Sequence, residues 1–181
     1  MQARYALLLV CLWNSLVCAQ TYPKAELFAG YSYTNIDQNN GPRESANGFE
    51  FSLSANLNKR FAFETDFSGY YQQLRDRGGP AGTFSYMAGP RFNFVRKQHT
   101  ISPLFLHCLL GFQHLIGSDF GSSVSDTAIA AALGGGVEWK FSRHLALRSS
   151  VDYALTHYFI NQNNIRTSVG LAYVFGGAPQ K

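Results

Sequence analysis

The side chains best equipped for chemistry are ten ionisable residues: Glu26, Glu50, Glu64, Asp66, Arg91, Glu138, Lys140, Arg148, Asp152 and Arg166. They alternate with large apolar residues. In GFEFSLSANL (48–57) Glu50 separates Phe49 from Phe51, and in FAFETDF (61–67) Glu64 and Asp66 are flanked by Phe63 and Phe67. Six acids and four bases on one surface have two main uses, as mutually satisfying ion pairs or as a switchable plug in a narrow pore. Hydrolysis would need a base within hydrogen-bond reach of an activated serine. His144 near Ser142 and His157 beside Thr156 stand in no such pattern, so no catalytic residue is expected. The five histidines, two methionines and three cysteines are scattered, which argues against a metal site and leaves no cofactor expected. Gly134, Gly135 and Gly136 lack the lysine and following helix of a phosphate-binding loop and read instead as a place where a strand curves or packs closely.

The elements that position these residues follow from a period of two, because successive side chains of a strand point to opposite faces. Eight runs alternate in this way: 25–35, 48–57, 61–71, 83–95, 101–115, 128–141, 145–155 and 165–175. Each is near the length that a tilted strand needs to cross a membrane. The connections 58–60, 96–100 and 142–144 are short, whereas 36–47, 72–82, 116–127 and 156–164 are longer and rich in Gly, Asn, Asp and Ser. Tight turns at one end and long loops at the other mark an up-and-down barrel of outer-membrane type.

The charges decide which face is outside. One face collects aromatic and aliphatic residues from nearly every run and no charge, and the other collects the ten ionisable residues. A soluble ligand-binding barrel would turn its charges to water. Arg or Lys facing lipid near the midplane costs about 2–4 kcal/mol, so a charge-free face is the lipid face, and the interior of an eight-stranded barrel is narrow enough for side chains to fill. The expected fold is all-β, an eight-stranded antiparallel up-and-down transmembrane β-barrel. Tyr31, Tyr33, Tyr71, Trp139 and Tyr153 suit aromatic girdles. In the run 101–115 both faces are apolar; Leu104, Leu106, Cys108, Leu110 and Phe112 are assigned outward and His107 and Gln113 inward, and a slip of one residue would reverse this.

Residues 1–19 read as a signal peptide: Arg4, an apolar stretch from Tyr5 to Trp13, and the small residues Val17, Cys18 and Ala19 before Gln20. A lipidated Cys18 would follow an ill-suited Val17. Residues 20–181 then form one barrel domain with both termini in the periplasm, and with Cys11 and Cys18 in the leader, Cys108 has no disulfide partner. The net charge of +4 and a pI near 9.0 do not point to nucleic acid, since the export signal and the dispersal of Lys and Arg among acids argue against it. Arg43, Arg75 and Arg77 fall in loops on the outer side, within reach of lipopolysaccharide phosphates, or are ordinary solvated charges. Lys59, Arg60, Arg96, Lys97 and Arg143 form a basic rim among the turns, which suits either anionic headgroups or solubility.

The opening AELFAGYSYTN, the eight alternating runs and the closing SVGLAYVF resemble the small outer-membrane β-barrel family that includes the OmpA transmembrane domain and OmpX-like proteins. The resemblance implies a place in the outer membrane, contact with its lipid and lipopolysaccharide, and interior ion pairs of the kind that act as a switchable plug. It also implies that Val169, Leu171, Tyr173 and Phe175 form a closing signal read by the barrel assembly machinery, although six residues follow Phe175 where many members end. The expected role is non-enzymatic, structural or surface-interacting through the loops. The alternatives are a narrow channel for ions or small solutes and, further off, modification of lipid A.

Overall fold

The structure, a computed structural model, describes residues 23–37, 42–73, 80–94, 104–119, 122–157 and 161–176. They form eight strands: β1 (Ala25–Ile36), β2 (Glu44–Asn56), β3 (Phe61–Gln73), β4 (Pro80–Asn93), β5 (Leu104–Asp119), β6 (Ser122–Lys140), β7 (Leu145–His157) and β8 (Asn161–Phe175). Each pairs antiparallel with its neighbours in sequence, and β1 pairs with β8 from Ala25↔Phe175 to Asn35↔Ile165, so the barrel is closed and has no free edge. At the closing corner Gly176 takes φ +73, a conformation glycine adopts without a Cβ penalty, and β8 ends there.

The turns 57–60 and 141–144 close tightly. Leu57 and Asn58 both donate backbone N–H groups to Phe61 O, and Phe141 and Ser142 do the same to Leu145 O. Asn58 Oδ1 accepts from the N–H groups of Arg60 and Phe61, each at 2.8 Å.

At the opposite end the strands run further than alternation indicates. The expected loop 116–127 is mostly ladder, with Leu115↔Asp126, Ile116↔Ser125 and Asp119↔Ser122 paired across β5 and β6. β2 starts at Glu44 rather than Gly48, and β8 at Asn161 rather than Ile165. There the residues are small or polar on both faces, as in SANG (45–48) and NQNN (161–164), so the backbone ladder continues with no hydrophobic period to reveal it, although Ala46 and Asn164 are still buried on the inner side. Val95, the expected turn 96–100, residues 101–103, Arg75, Arg77, residues 1–19 expected as a signal peptide, and residues 177–181 lie outside the described residues.

Facing follows the charge argument. Leu27, Leu53, Phe63, Leu133, Val151 and Leu171 are among the exposed apolar residues, whereas Phe28, Ala62, Phe105, Leu109, Ala146 and Ala172 are buried. The assignment of the fifth strand holds: Leu104, Leu106, Cys108, Leu110 and Phe112 are exposed, and His107 and Gln113 are buried. Pro90 interrupts the β4–β5 ladder between Ala88↔Leu110 and Arg91↔His107 without shifting the register.

Candidate functional site

The candidate site is the barrel interior. Alternation sends Glu26, Glu50, Glu64, Asp66, Arg91, Glu138, Arg148, Asp152 and Arg166 inward, and all nine are buried. Lys140 is a correction, since it is exposed. It shares a face with Glu138 but is the last residue of β6, at the open mouth of the barrel, where its charge still reaches the buried Glu26. His107 takes its place among the buried charges, so six carboxylates face three guanidinium groups and one imidazole.

Two clusters result. In the first, Arg91 and Arg148 converge on one oxygen, with Arg91 Nη2 at 2.7 Å and Arg148 Nε at 2.8 Å from Glu138 Oε1. Both also reach Glu26 Oε2, at 3.3 and 3.0 Å. Their other donors are used on Asn93 and Ser54 for Arg91 and on Ser52 for Arg148, and both guanidinium groups lie within 4.0 Å of Glu64 oxygens. The Arg91 guanidinium also lies 4.0 Å from the centre of the Phe105 ring, and Arg148 lies 5.0 Å from that of Phe28.

In the second cluster Arg166 donates to Asp152 Oδ2 from Nε at 2.9 Å and Nη2 at 2.7 Å, and from Nη1 to Asp66 Oδ1 at 2.8 Å. Its Nε lies 3.6 Å from Glu50 Oε2, which also accepts from the Ser168 hydroxyl. His107 joins the two clusters, with Nδ1 3.2 Å from Glu64 Oε2 and Nε2 2.8 Å from Asp152 Oδ1. Toward the loop end a neutral layer follows, in which Gln113 Nε2 donates to the Tyr70 hydroxyl at 2.7 Å and Gln113 Oε1 accepts from the Thr156 hydroxyl.

The glycine run explains how these groups fit. Gly134 pairs with His107 on one side and Asp152 on the other, so His107 and Asp152 meet across a strand that carries no side chain at that point. A Cβ on Gly134 would lie 1.9 Å from Asp152 Oδ1. Gly136 likewise makes room for the Phe105 ring, whose edge atoms would be 2.9 Å from an added Cβ. Glycine as a site of close packing was legible in the sequence. His107 as a bridging member of the network and Phe105 as the ring under Arg91 were not, because alternation gives facing but not partners.

The other candidates separate. Ser142 and His144 are exposed, and His144 stacks on Tyr173 with centroids 5.9 Å apart. Thr156 points inward to Gln113, and His157 is exposed on the other face. The structure does bring one histidine to a serine: His114 Nε2 lies 3.4 Å from Ser125 Oγ, with Nδ1 2.8 Å from Thr127 Oγ1. The neighbouring Asp126 accepts from the Thr127 N–H instead of from the ring, so the orienting acid of a triad is not in place. Among the described residues no group of three His, Cys, Asp or Glu has a metal-binding arrangement. Arg43 is exposed, and its Nη2 donates to Asn163 O at 2.5 Å. Val169, Leu171, Tyr173 and Phe175 all face outward in an exposed row along β8.

A closed eight-stranded barrel with charges inside and a continuous apolar outside is an integral membrane β-barrel. A family model described as the outer membrane protein beta-barrel domain matches residues 6–175, and the chain belongs to that family, whose place is the outer membrane. No curated protein matches the sequence. Among solved structures the chain is similar to the attachment invasion locus protein Ail of Yersinia pestis (19% identity, 84% of this chain and 99% of that one, TM-score 0.62). It is also similar to Neisserial surface protein A (13% identity, 84% and 97% covered, TM-score 0.70). A third is the N-terminal barrel domain of Pseudomonas aeruginosa OprF (12% identity, 84% and 98% covered, TM-score 0.62). At these identities the likeness is one of fold.

Proposed function

We propose that this outer-membrane barrel is non-enzymatic, closed to solutes by its ionic plug, and serves as a rigid stand for surface loops that meet lipopolysaccharide or another partner outside the cell. The observation that carries the reading is the burial of Arg91 and Arg148, each 1% exposed and each bonded both to a serine of β2 and to Glu138 of β6, strands on opposite walls. Side chains tied across the lumen in this way leave little for a solute to pass and give the wall stiffness. In this reading residues 1–19 direct export, the outward row on β8 is presented to the assembly machinery, and the turns and termini lie in the periplasm.

Arg43, at the loop end and exposed, is the described candidate for lipopolysaccharide phosphates; Arg75 and Arg77 belong to the same proposal by their place in the sequence. Ail of Yersinia pestis has also been solved in complex with the heparin analogue sucrose octasulfate (21% identity, 83% of this chain covered, TM-score 0.61), which is in keeping with a barrel of this fold holding a polyanion.

A second reading, a narrow cation path, is favoured by the excess of interior carboxylates. One experiment separates the two. Purified protein in planar bilayers is expected to give no discrete current steps, while Arg148→Ala, which removes a cross-lumen tie, gives small cation-selective steps. Regular steps from the unaltered protein would replace the closed-plug reading with the channel.

A further inference from the structure

We propose that the turn end of the barrel is a headgroup-binding collar, a ring of fixed cations that selects anionic phospholipids in the leaflet it touches. The inference rests on the membrane placement argued above but not on which leaflet that is.

The charges of the chain are partitioned by height. Of the eleven Asp and Glu residues, six are buried in the interior. Of the other five, Asp37, Glu44, Asp119 and Asp126 lie at the loop ends of the strands, and Asp76 falls between β3 and β4 in the sequence. Among the described residues no exposed Asp or Glu lies at the turn end, which presents Lys24, Lys59, Arg60, Lys140 and Arg143. Lys59, Arg60, Lys140 and Arg143 are exposed and Lys24 is half-buried. Random placement of solvated charge for solubility would mix signs; a rim of one sign makes a field that acts on the phase next to it.

That phase is set by depth. Leu57, Phe61, Trp139 and Phe141 are exposed apolar residues on the outer wall, and each is within three residues of a rim cation along the chain. The cations therefore sit at the edge of the hydrocarbon, at the level of lipid phosphates. The rim is also rigid, because the 57–60 and 141–144 turns are tied by the bonds to Phe61 O and Leu145 O, and Lys24 is pinned through its N–H to Phe175 O and its carbonyl to Asn56 N, both at 2.9 Å. These backbone ties hold the roots of the cationic side chains at fixed spacing around the barrel, so several phosphates can be met at once. Anionic headgroups gain from each nearby Lys or Arg, and zwitterionic ones do not.

Trp139 is the neighbour of Lys140 and one of only two tryptophans, so the full chain carrying Trp13→Phe has a single reporter at the collar. The protein is refolded into phosphatidylcholine vesicles containing dibrominated phosphatidylglycerol or, separately, dibrominated phosphatidylcholine, and quenching of Trp139 is followed against mole fraction. The expected result is about fivefold stronger association of the brominated phosphatidylglycerol. The preference should vanish in 1 M salt, where the Debye length falls to about 3 Å. It should also vanish in the combined Lys59→Gln, Arg60→Gln, Lys140→Gln, Arg143→Gln variant and persist in Arg43→Gln at the other end. Equal quenching by the two lipids at low salt overturns the collar, as does a preference that survives the four substitutions in protein that still migrates fast unboiled. If that variant fails to fold, the salt titration of the unsubstituted rim decides by itself. Labelling of Lys59→Cys in cells tests the orientation separately: modification by an impermeant maleimide in intact cells would overturn the periplasmic placement while the lipid preference stood.

Discussion

Gly134→Ala adds one methyl group and tests the reasoning about the interior most sharply. The new Cβ would lie 1.9 Å from Asp152 Oδ1 and 2.7 Å from Val151 O. Oδ1 is the oxygen 2.8 Å from His107 Nε2, while Oδ2 holds Arg166, so the carboxylate must swing away from the histidine and disturb its grip on the arginine. Losing a hydrogen bond to a charged group costs about 1.5–3 kcal/mol. The close approach to the β7 backbone adds an overpacking cost of about 1–3 kcal/mol. Against this, Gly→Ala gains about 0.4–1 kcal/mol from the unfolded chain. The net expectation is a loss of about 2–5 kcal/mol.

The assay is the fraction of fast-migrating, unboiled band across a urea series in vesicles, where a stability change moves the midpoint and leaves the slope unaltered. Gly82→Ala is the control, because its Cβ would meet only aromatic ring atoms, the nearest being Tyr71 Cε1 at 3.2 Å, and its cost should stay within about 0.5 kcal/mol. In a double-mutant cycle with Asp152→Ala the carboxylate that obstructs the methyl is gone, so the two changes should couple by at least about 1 kcal/mol. A Gly134→Ala protein as stable as the control, or strict additivity with Asp152→Ala, would refute the claim that this glycine exists to let His107 and Asp152 meet.

Lipid exposure makes a depth-dependent prediction on one strand: Leu53→Arg, at the middle of the exposed row of β2, should lower stability by about 2–4 kcal/mol, and Leu57→Arg, at the turn, by no more than about 1 kcal/mol, in the same urea assay. Equal costs would mean that the apolar face does not meet hydrocarbon. Cys108 is exposed on the outer wall of β5, so in a Cys11→Ser, Cys18→Ser chain folded in vesicles a membrane-soluble maleimide should modify it and a charged, impermeant one should not. Modification by both reagents alike would place that strand in the opposite facing.

The chain's alternation was enough to set the number of strands, their order and the side that each residue faces, since a period of two combined with the cost of a lipid-facing charge admits one arrangement. It assigned nine of the interior charges and even the doubly apolar β5, where Leu104, Leu106 and Cys108 had to share a side opposite His107. What alternation lacks is height and partnership. Lys140 has the parity of Glu138 yet stands at the mouth, because parity does not say where along the axis a strand leaves the barrel. The polar stretch 116–127 reads as loop although its backbone pairs across β5 and β6, since a backbone ladder needs no apolar face. The meeting of Arg91 and Arg148 on Glu138, and of His107 with Asp152 over Gly134, depends on the register between strands far apart in sequence. Local sequence determined the inside and the outside of this protein. Only closure of the barrel, which fixes the stagger of every strand against the next, decided which charge answers which.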